Sequence, residues 1–254
     1  MKKLLLILLC LPMIGFGQNM NIPDANFKAY LVGNTAINTN GDGEIQLSEA
    51  SIYSECICCD NMNIYDLTGL EAFISITALD CEENQISDID ISLNVNLTAL
   101  NCSENPLNFL DISNSSITHL YCEDTPISSL NLTNATDLET LECANNKLVC
   151  LDISTNNNLE DIYFDNNLLE QLNMKNGQWT KIDDISGLNN NLTCVEVDNL
   201  GYANSNWTSS FDSFVTFSTD CNYANPCATV SAIQEHSTNK ELLKVTDLLG
   251  RETK

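Results

Sequence analysis

One pattern recurs along the chain at a nearly fixed interval, and it restricts the fold more than any composition does. Aligned on a shared polar position, five segments read ITALDCEENQISDIDIS, LTALNCSENPLNFLDIS, ITHLYCEDTPISSLNLT, LETLECANNKLVCLDIS and LEDIYFDNNLLEQLNMK. The first apolar position falls at Leu79, Leu100, Leu120, Leu141 and Ile162, so the units are 21, 20, 21 and 21 residues apart. The next falls at Cys81, Cys102, Cys122, Cys143 and Phe164, and the polar position at Asn84, Asn105, Thr125, Asn146 and Asn167. A degenerate earlier copy puts Ile57, Cys59, Ile64 and Leu67 in the same frame, with Met62 at the asparagine position. Alternation in Leu-x-Cys is the period of a short strand with both side chains inward. The asparagine amide can then satisfy backbone groups where the chain turns out of that strand. Leu107, Leu110 and their counterparts turn back into the same core. Each such coil buries its apolar edge only against its neighbours, so one alone is unstable while five regular copies and a weaker sixth suffice.

These positions match the leucine-rich-repeat consensus, with cysteine at its third apolar place. They predict a leucine-rich-repeat solenoid of the α/β class over 55–200, with parallel strands on a concave face and short turns on the convex face. The in-register repeats resemble those of the internalin-type leucine-rich-repeat proteins of bacteria, in particular the cysteine-ladder variety. That resemblance implies an adhesion or protein-recognition scaffold and no particular ligand. Cys59, Cys81, Cys102, Cys122 and Cys143 are expected to behave as small buried apolar groups with unreactive thiols. The alternative, a metal array, lacks the convergent tetrahedral geometry of a zinc site. Cys56, Cys58, Cys150, Cys194, Cys221 and Cys227 remain. An exported compartment permits bridges among them, and Cys194 with Cys221 would staple the end of the solenoid, although sequence does not fix connectivity. Cys56-x-Cys58-Cys59 superficially resembles a metal knuckle, but Cys59 is already a core position and no histidine lies near, so no metal is expected there.

A solenoid must cover its ends. Residues 1–17 read as a signal peptide: Lys2 and Lys3, an apolar run from Leu4 to Ile14, then Gly15-Phe16-Gly17. Leu9 before Cys10 does not fit a lipoprotein signal, so plain cleavage before Gln18 is expected. Residues 18–54 form an N-terminal helical cap, in which Pro23 and Asp24 open a helix carrying Phe27, Tyr30 and Leu31 on one face. NTNGDGEIQLSEA follows and matches the calcium loop of an EF-hand: Asn38, Asn40 and Asp42 at positions 1, 3 and 5, Gly43 at the sharp turn, the Glu44 carbonyl at 7 and Glu49 at 12. Asn38 replaces the usual aspartate, which implies a weak, structural calcium site. The alternative is a hydrogen-bonded turn between two cap helices with no ion. Residues 201–227 form a C-terminal cap, where Trp207, Phe211, Phe214 and Phe217 supply apolar area. A carbohydrate platform would instead need Trp207 exposed. A polar linker at 228–239 leads to KELLKVTDLLGRETK at 240–254, which resembles the opening of the C-terminal sorting domain of the type IX secretion system in Bacteroidota. That resemblance implies export to the cell surface, although family members continue into further strands.

The net charge is −25, and no Lys or Arg occurs between Lys28 and Lys147. Nucleic acid and anionic lipid are poor partners for such a field. A partner should be basic, unless the acidity serves only solubility. After Gln18 nothing approaches the ~20 apolar residues of a transmembrane helix, so a secreted or outer-surface location is expected. The two histidines, His119 and His236, belong to no catalytic constellation, and no nucleotide loop or zinc-protease motif is present. A solenoid lays its outward residues in parallel rows, which makes a broad face and not a cleft. On that face His119, Tyr121, Glu123, Asp124, Glu142, Asp161, Tyr163 and Asp165 are the candidate ligand-binding residues. Tyrosine anchors among steering carboxylates suit a basic protein surface or cell-surface ligand. The competing readings are a structural spacer without a ligand and, further off, a hydrolase with an unrecognised carboxylate pair.

Overall fold

The computed structural model describes residues 17–113 and 115–223, so most of the leader, Cys227, the linker at 228–239 and the sorting segment at 240–254 lie outside it. The chain is a leucine-rich-repeat solenoid. Its repeats lay down one seven-stranded parallel sheet from β1 (Cys56–Cys58), β2 (Ala78–Asp80), β3 (Ala99–Asn101), β5 (His119–Tyr121), β7 (Thr140–Glu142), β9 (Asp161–Tyr163) and β11 (Asp184–Ser186), neighbours in that order. The central apolar residues stack in strict register, Ile57, Leu79, Leu100, Leu120, Leu141, Ile162 and Ile185. All seven are buried.

The return limb of each coil carries a second ladder, which the sequence reading does not separate from turn. There β4 (Phe109–Asp111) pairs with β6 (Ser129–Asn131). Next, β8 (Cys150–Asp152), β10 (Gln171–Asn173), β12 (Cys194–Glu196) and β13 (Thr216–Ser218) form a four-stranded sheet. Leu110, Leu151, Leu172 and Val195 point inward from this limb, so the core lies between two sets of strands.

The ladder cysteines line that core. Cys59, Cys81, Cys102, Cys122 and Cys143 are free thiols at 0% exposure. Burial pushes the Cys59 thiol up to about 12 and the other four well above the ordinary thiol range. They are un-ionised and inert near neutrality. The column continues with Phe164 and then Gly187, where an added Cβ would collide with the Phe164 ring. One coil's large side chain thus occupies the space that the next coil leaves by having none.

Asparagines lock each coil to its neighbour. Asn105 donates through Nδ2 to the carbonyls of Cys81, Cys102 and Ser103 at 2.9, 3.2 and 3.0 Å, and its Oδ1 accepts from the Ile86 N–H at 2.9 Å. Asn84, Asn146, Asn167 and Asn190 repeat the arrangement. At the degenerate position Thr125 its hydroxyl reaches Asn146 Oδ1 at 2.5 Å. One residue earlier every coil turns through the left-handed region, at Asn61, Glu83, Glu104, Asp124, Asn145, Asn166 and Asn189, with φ between 51 and 59°.

The ends are closed from both sides. Asp24 caps α1 (Ala25–Gly33) by accepting from the Asn26 and Phe27 N–H groups at 2.9 Å, and its other oxygen accepts from the Tyr65 N–H at 2.8 Å. Phe27 and Leu31 are buried against the first coil. At the far end α2 (Leu200–Asn206) precedes Trp207, which is 3% exposed and so offers no stacking platform for a sugar. The Tyr223 hydroxyl donates to the Cys194 carbonyl at 2.6 Å. Cys194 and Cys221 form the expected bridge across 27 residues of sequence. Cys150 is also disulfide-bonded. A further bridge joins Cys56 and Cys58, one of the pairings that the sequence leaves open.

If the asparagine column holds the stack, Asn105→Ala should lower stability by about 2–4 kcal/mol, because it strands buried carbonyls and one N–H without partners. Chemical denaturation of the two proteins measures this. A loss below ~1 kcal/mol would mean that strand pairing alone holds the coils.

Candidate functional site

Register fixes which outward side chains meet. On the seven-stranded sheet Asp80, Asn101, Tyr121, Glu142, Tyr163 and Ser186 occupy one row, and Ala78, Ala99, His119, Thr140, Asp161 and Asp184 the row beside it. The predicted residues on β5, β7 and β9 are thereby neighbours, with Tyr121 and Tyr163 on either side of Glu142 and with Thr140 between His119 and Asp161. All are half-buried except Thr140, which is buried. Glu123 contacts Glu142 from the adjoining turn, and Asp124 is exposed in its left-handed turn position. Thr118 and His119 make a local contact of 2.8 Å between hydroxyl and Nδ1.

Two of the eight are tied into the scaffold. Asp165 accepts from the Ser186 hydroxyl and the Leu188 N–H, each at 2.7 Å, and so joins two coils. The Tyr163 hydroxyl donates to Asp184 at 2.8 Å. This bond to a carboxylate raises the tyrosine to about 12 and fixes its ring on the face. Asp184 itself is a residue that the repeat alignment misses. Its coil follows Ile162 by 23 residues instead of 20 or 21, because Lys175 to Lys181 lengthen the loop.

The electrostatics reach further than the predicted residues. Burial raises the Glu123 carboxyl above its ordinary range, and Glu142 and Asp124 add to the shift. Burial also raises Asp80, with Asp60 and Glu82 as further causes. Glu104 is raised by desolvation and then by Glu83, Glu82 and Asp124. One continuous field of carboxylates therefore runs from Asp60 to Glu142. Among the described residues the one ion pair is Lys28 with Glu44 at 2.7 Å, on the N-terminal cap.

The cap loop has the turn expected of it, with Gly43 at φ 81°. Asn38, Asn40 and Asp42 accept in turn from the N–H groups of Gly41, Asp42 and Glu44 at 3.0, 2.8 and 3.0 Å. The last of these bonds holds the Asp42 carboxyl below its ordinary range. Glu44 turns its side chain to Lys28, leaving its carbonyl as the group it can offer the loop. Glu49 is 6% exposed. Its Oε1 accepts from Thr39 N–H and hydroxyl and from Asn40 N–H, and its Oε2 from Gln46 N–H alone. Oε2 therefore keeps a lone pair for a cation. Asn40 turns its amide nitrogen toward Asp42 and Gln46, and a cation would require that amide to rotate. No three His, Cys, Asp or Glu side chains converge among the described residues. The loop can thus offer mostly neutral oxygens, which suits weak calcium binding and no transition metal.

No known family model and no curated protein matches the chain. Solved structures with similarity to it include three from Listeria monocytogenes. One is the functional domain of InlJ, which includes a cysteine ladder, at 25% identity and a TM-score of 0.40, covering 71% of this chain and 52% of that one. Internalin C2 shows 14% identity and a TM-score of 0.44, covering 79% and 100%. The internalin InlF shows 18% identity and a TM-score of 0.49, covering 77% and 68%.

The raised carboxyls have a consequence for pH. Glu123, and likewise Glu104 and Asp80, binds its proton more tightly folded than unfolded. Between the ordinary glutamate value of 4.5 and the raised folded value, the native state holds more protons, so stability falls as pH rises through that interval. Asp24 acts in the opposite sense. Burial alone would raise it, but backbone N–H bonds from Phe27, Tyr65 and Asn26 outweigh that and lower it, so its contribution is lost as pH falls below 3.8. At constant ionic strength the Tm should therefore rise as pH drops through the interval above 4.5 in which Glu123 takes up its proton, and fall again below 3.8, and Glu123→Gln should flatten the first limb. A Tm that only declines as pH falls from 7 would show that these carboxyls are not raised in the folded state.

Proposed function

We propose that this is an exported, surface-displayed or secreted protein that binds a basic protein or cell-surface ligand on the outer face of its seven-stranded sheet. The observation that carries the reading is the in-register row of Tyr121, Glu142 and Tyr163 within a carboxylate field that forms no ion pair among the described residues. Half-buried tyrosines offer contact area at small entropic loss, and the carboxylates steer a cationic surface into place. The face is broad, so the reading is of binding and not of turnover. No helix among the described residues is long and apolar enough to cross a membrane. Export itself rests on the leader at 1–17 and the sorting-like segment at 240–254.

Affinity capture from culture supernatant and neighbouring cell extracts tests the face, comparing the parent with a variant carrying Glu123→Lys, Asp124→Lys and Glu142→Lys. The parent should enrich a basic partner at least roughly tenfold over the variant, with the difference shrinking as salt rises. Equal capture by both would place recognition elsewhere. No capture by either would favour the spacer.

We also propose that calcium pins the N-terminal cap, through Asn38, Asn40, Asp42, the Glu44 carbonyl and Glu49. At a Kd of ~10⁻⁴ to 10⁻³ M, 5 mM calcium should stabilise by about 1–2 kcal/mol over the chelated protein. Asp42→Asn should abolish that increment while sparing the Glu49 bonds that shape the loop. Identical melting in calcium and in chelator would leave the loop as a hydrogen-bonded turn.

A further inference from the structure

The bridge between Cys56 and Cys58 duplicates what other bonds already do for β1. That strand pairs in register with β2 over all three of its residues. Ile57 and Cys59 hold it to the core with 0% exposure. Two tyrosines of the cap hold its backbone: the Tyr53 hydroxyl donates to the Cys56 carbonyl, and the Tyr30 hydroxyl accepts from the Cys58 N–H, each at 2.8 Å. A cross-link stabilises chiefly by constraining the unfolded chain, and it does so less the shorter the loop it closes. Cys56 and Cys58 are 2 apart in sequence, against 27 for Cys194 and Cys221. As a staple the short bridge contributes least.

Its position suits a different task. Side chains two apart on a strand share a face, and here that face is the outward one, on the first strand of the seven-stranded sheet. Cys58 is exposed and Cys56 half-buried, whereas both Cys194 and Cys221 are half-buried at the closed end. Cys59, the next thiol along, points into the core and is un-ionised near neutrality, so it does not compete for the bridge.

We propose that Cys56–Cys58 is an exchangeable disulfide that accepts thiols at the N-terminal end of the acidic face, cationic thiols in preference to anionic ones. An incoming thiolate attacks Cys58 Sγ, a new sulfur–sulfur bond forms there, and the Cys56–Cys58 bond breaks. Cys56 leaves with the electron pair as a thiolate and takes a proton from water. One disulfide is exchanged for another, so no outside oxidant or reductant is needed. The reverse attack by the Cys56 thiolate on Cys58 Sγ releases the thiol. The charge preference comes from the setting: Asp80 lies opposite Cys58 in register, and Glu55 and Asp60 flank the strand in sequence. The exchange does not depend on the ligand-binding reading of β5, β7 and β9.

The test treats the purified protein with cysteamine or with the anionic 2-mercaptoethanesulfonate at equal thiolate concentration. Peptide mapping by mass spectrometry then locates the adduct. The expected result is a mixed disulfide on Cys58 with Cys194–Cys221 intact and an unchanged circular dichroism spectrum. Cysteamine should react roughly tenfold faster at low salt, with the gap closing at high salt. Cys56→Ser, which removes the resolving thiol and leaves Cys58 as a free thiol, is treated instead with cystamine, the disulfide of cysteamine: Cys58 Sγ attacks it, cysteamine leaves, and the adduct that the parent releases should persist. A thiol-bearing basic peptide in place of cysteamine distinguishes a protein thiol from a small one. The proposal is overturned if Cys194–Cys221 exchanges first, if no adduct forms on Cys58 in parent or variant, or if opening the short bridge lowers the Tm as much as opening the long one.

Discussion

A chain that turns out of a strand inside a stack of coils buries peptide groups that neither water nor the next strand can reach, and such groups must find partners. Here a single amide supplies them. Asn105 bonds carbonyls of its own turn and also Cys81 O and Ile86 N of the coil before, so the residue that satisfies one turn also fixes the alignment of two. Burial of one face already excludes a slip of one residue, and the amide adds a bond that ties each turn to the coil before it. The rows on the outer face follow from this. Tyr121 lies beside Glu142, and Glu142 beside Tyr163, because the turns behind them are locked one repeat apart.

Where the spacing is uniform the sequence discloses this architecture residue by residue, as for every inward position from Leu79 to Ile162. It stops doing so where one interaction substitutes for another. Asp184 was invisible because the loop from Lys175 to Lys181 breaks the count, and only the register with Asp161 returns it to the face. The second set of strands was hidden because Phe109-Leu110-Asp111 is too short for any period to be read, and pairing with β6 is what makes it strand. The left-handed column was concealed by Glu83 and Glu104, a residue type that carries no local sign of positive φ. For the candidate site the identity of the neighbours was legible, whereas the engagement of Asp165 by Ser186 and Leu188 was not, since it depends on a coil that the alignment omitted.

Alternation alone gives three adjacent cysteines different chemistries. Cys59 faces inward, and removal from water keeps its sulfur protonated. Cys56 and Cys58, on the same strand but facing out, are close enough to bridge. At the other end Cys194 and Cys221 join segments distant in sequence and so restrict the unfolded chain far more. Equal residue types thus divide into core filler, surface bridge and staple according to the direction in which the strand points each one.

The left-handed column shows where stability and surface charge oppose each other. A residue with a Cβ loses about 1–2 kcal/mol in that conformation, and asparagine is among the few that relieve the loss by local hydrogen bonding. Asn61, Asn145, Asn166 and Asn189 follow that preference. Asp124 shares that relief, but Glu83 and Glu104 do not, and in these turns Glu83 and Asp124 add to the desolvation that raises Glu104. Folding alone would favour asparagine at all seven positions. The departure coincides with the stretch where the outward rows are most acidic, including Asp80, Glu82, Glu123 and Glu142. Local rules are thus broken on one face and with one sign of charge, at the expense of folding stability, and that acidity is what the proposed recognition of a basic ligand draws on.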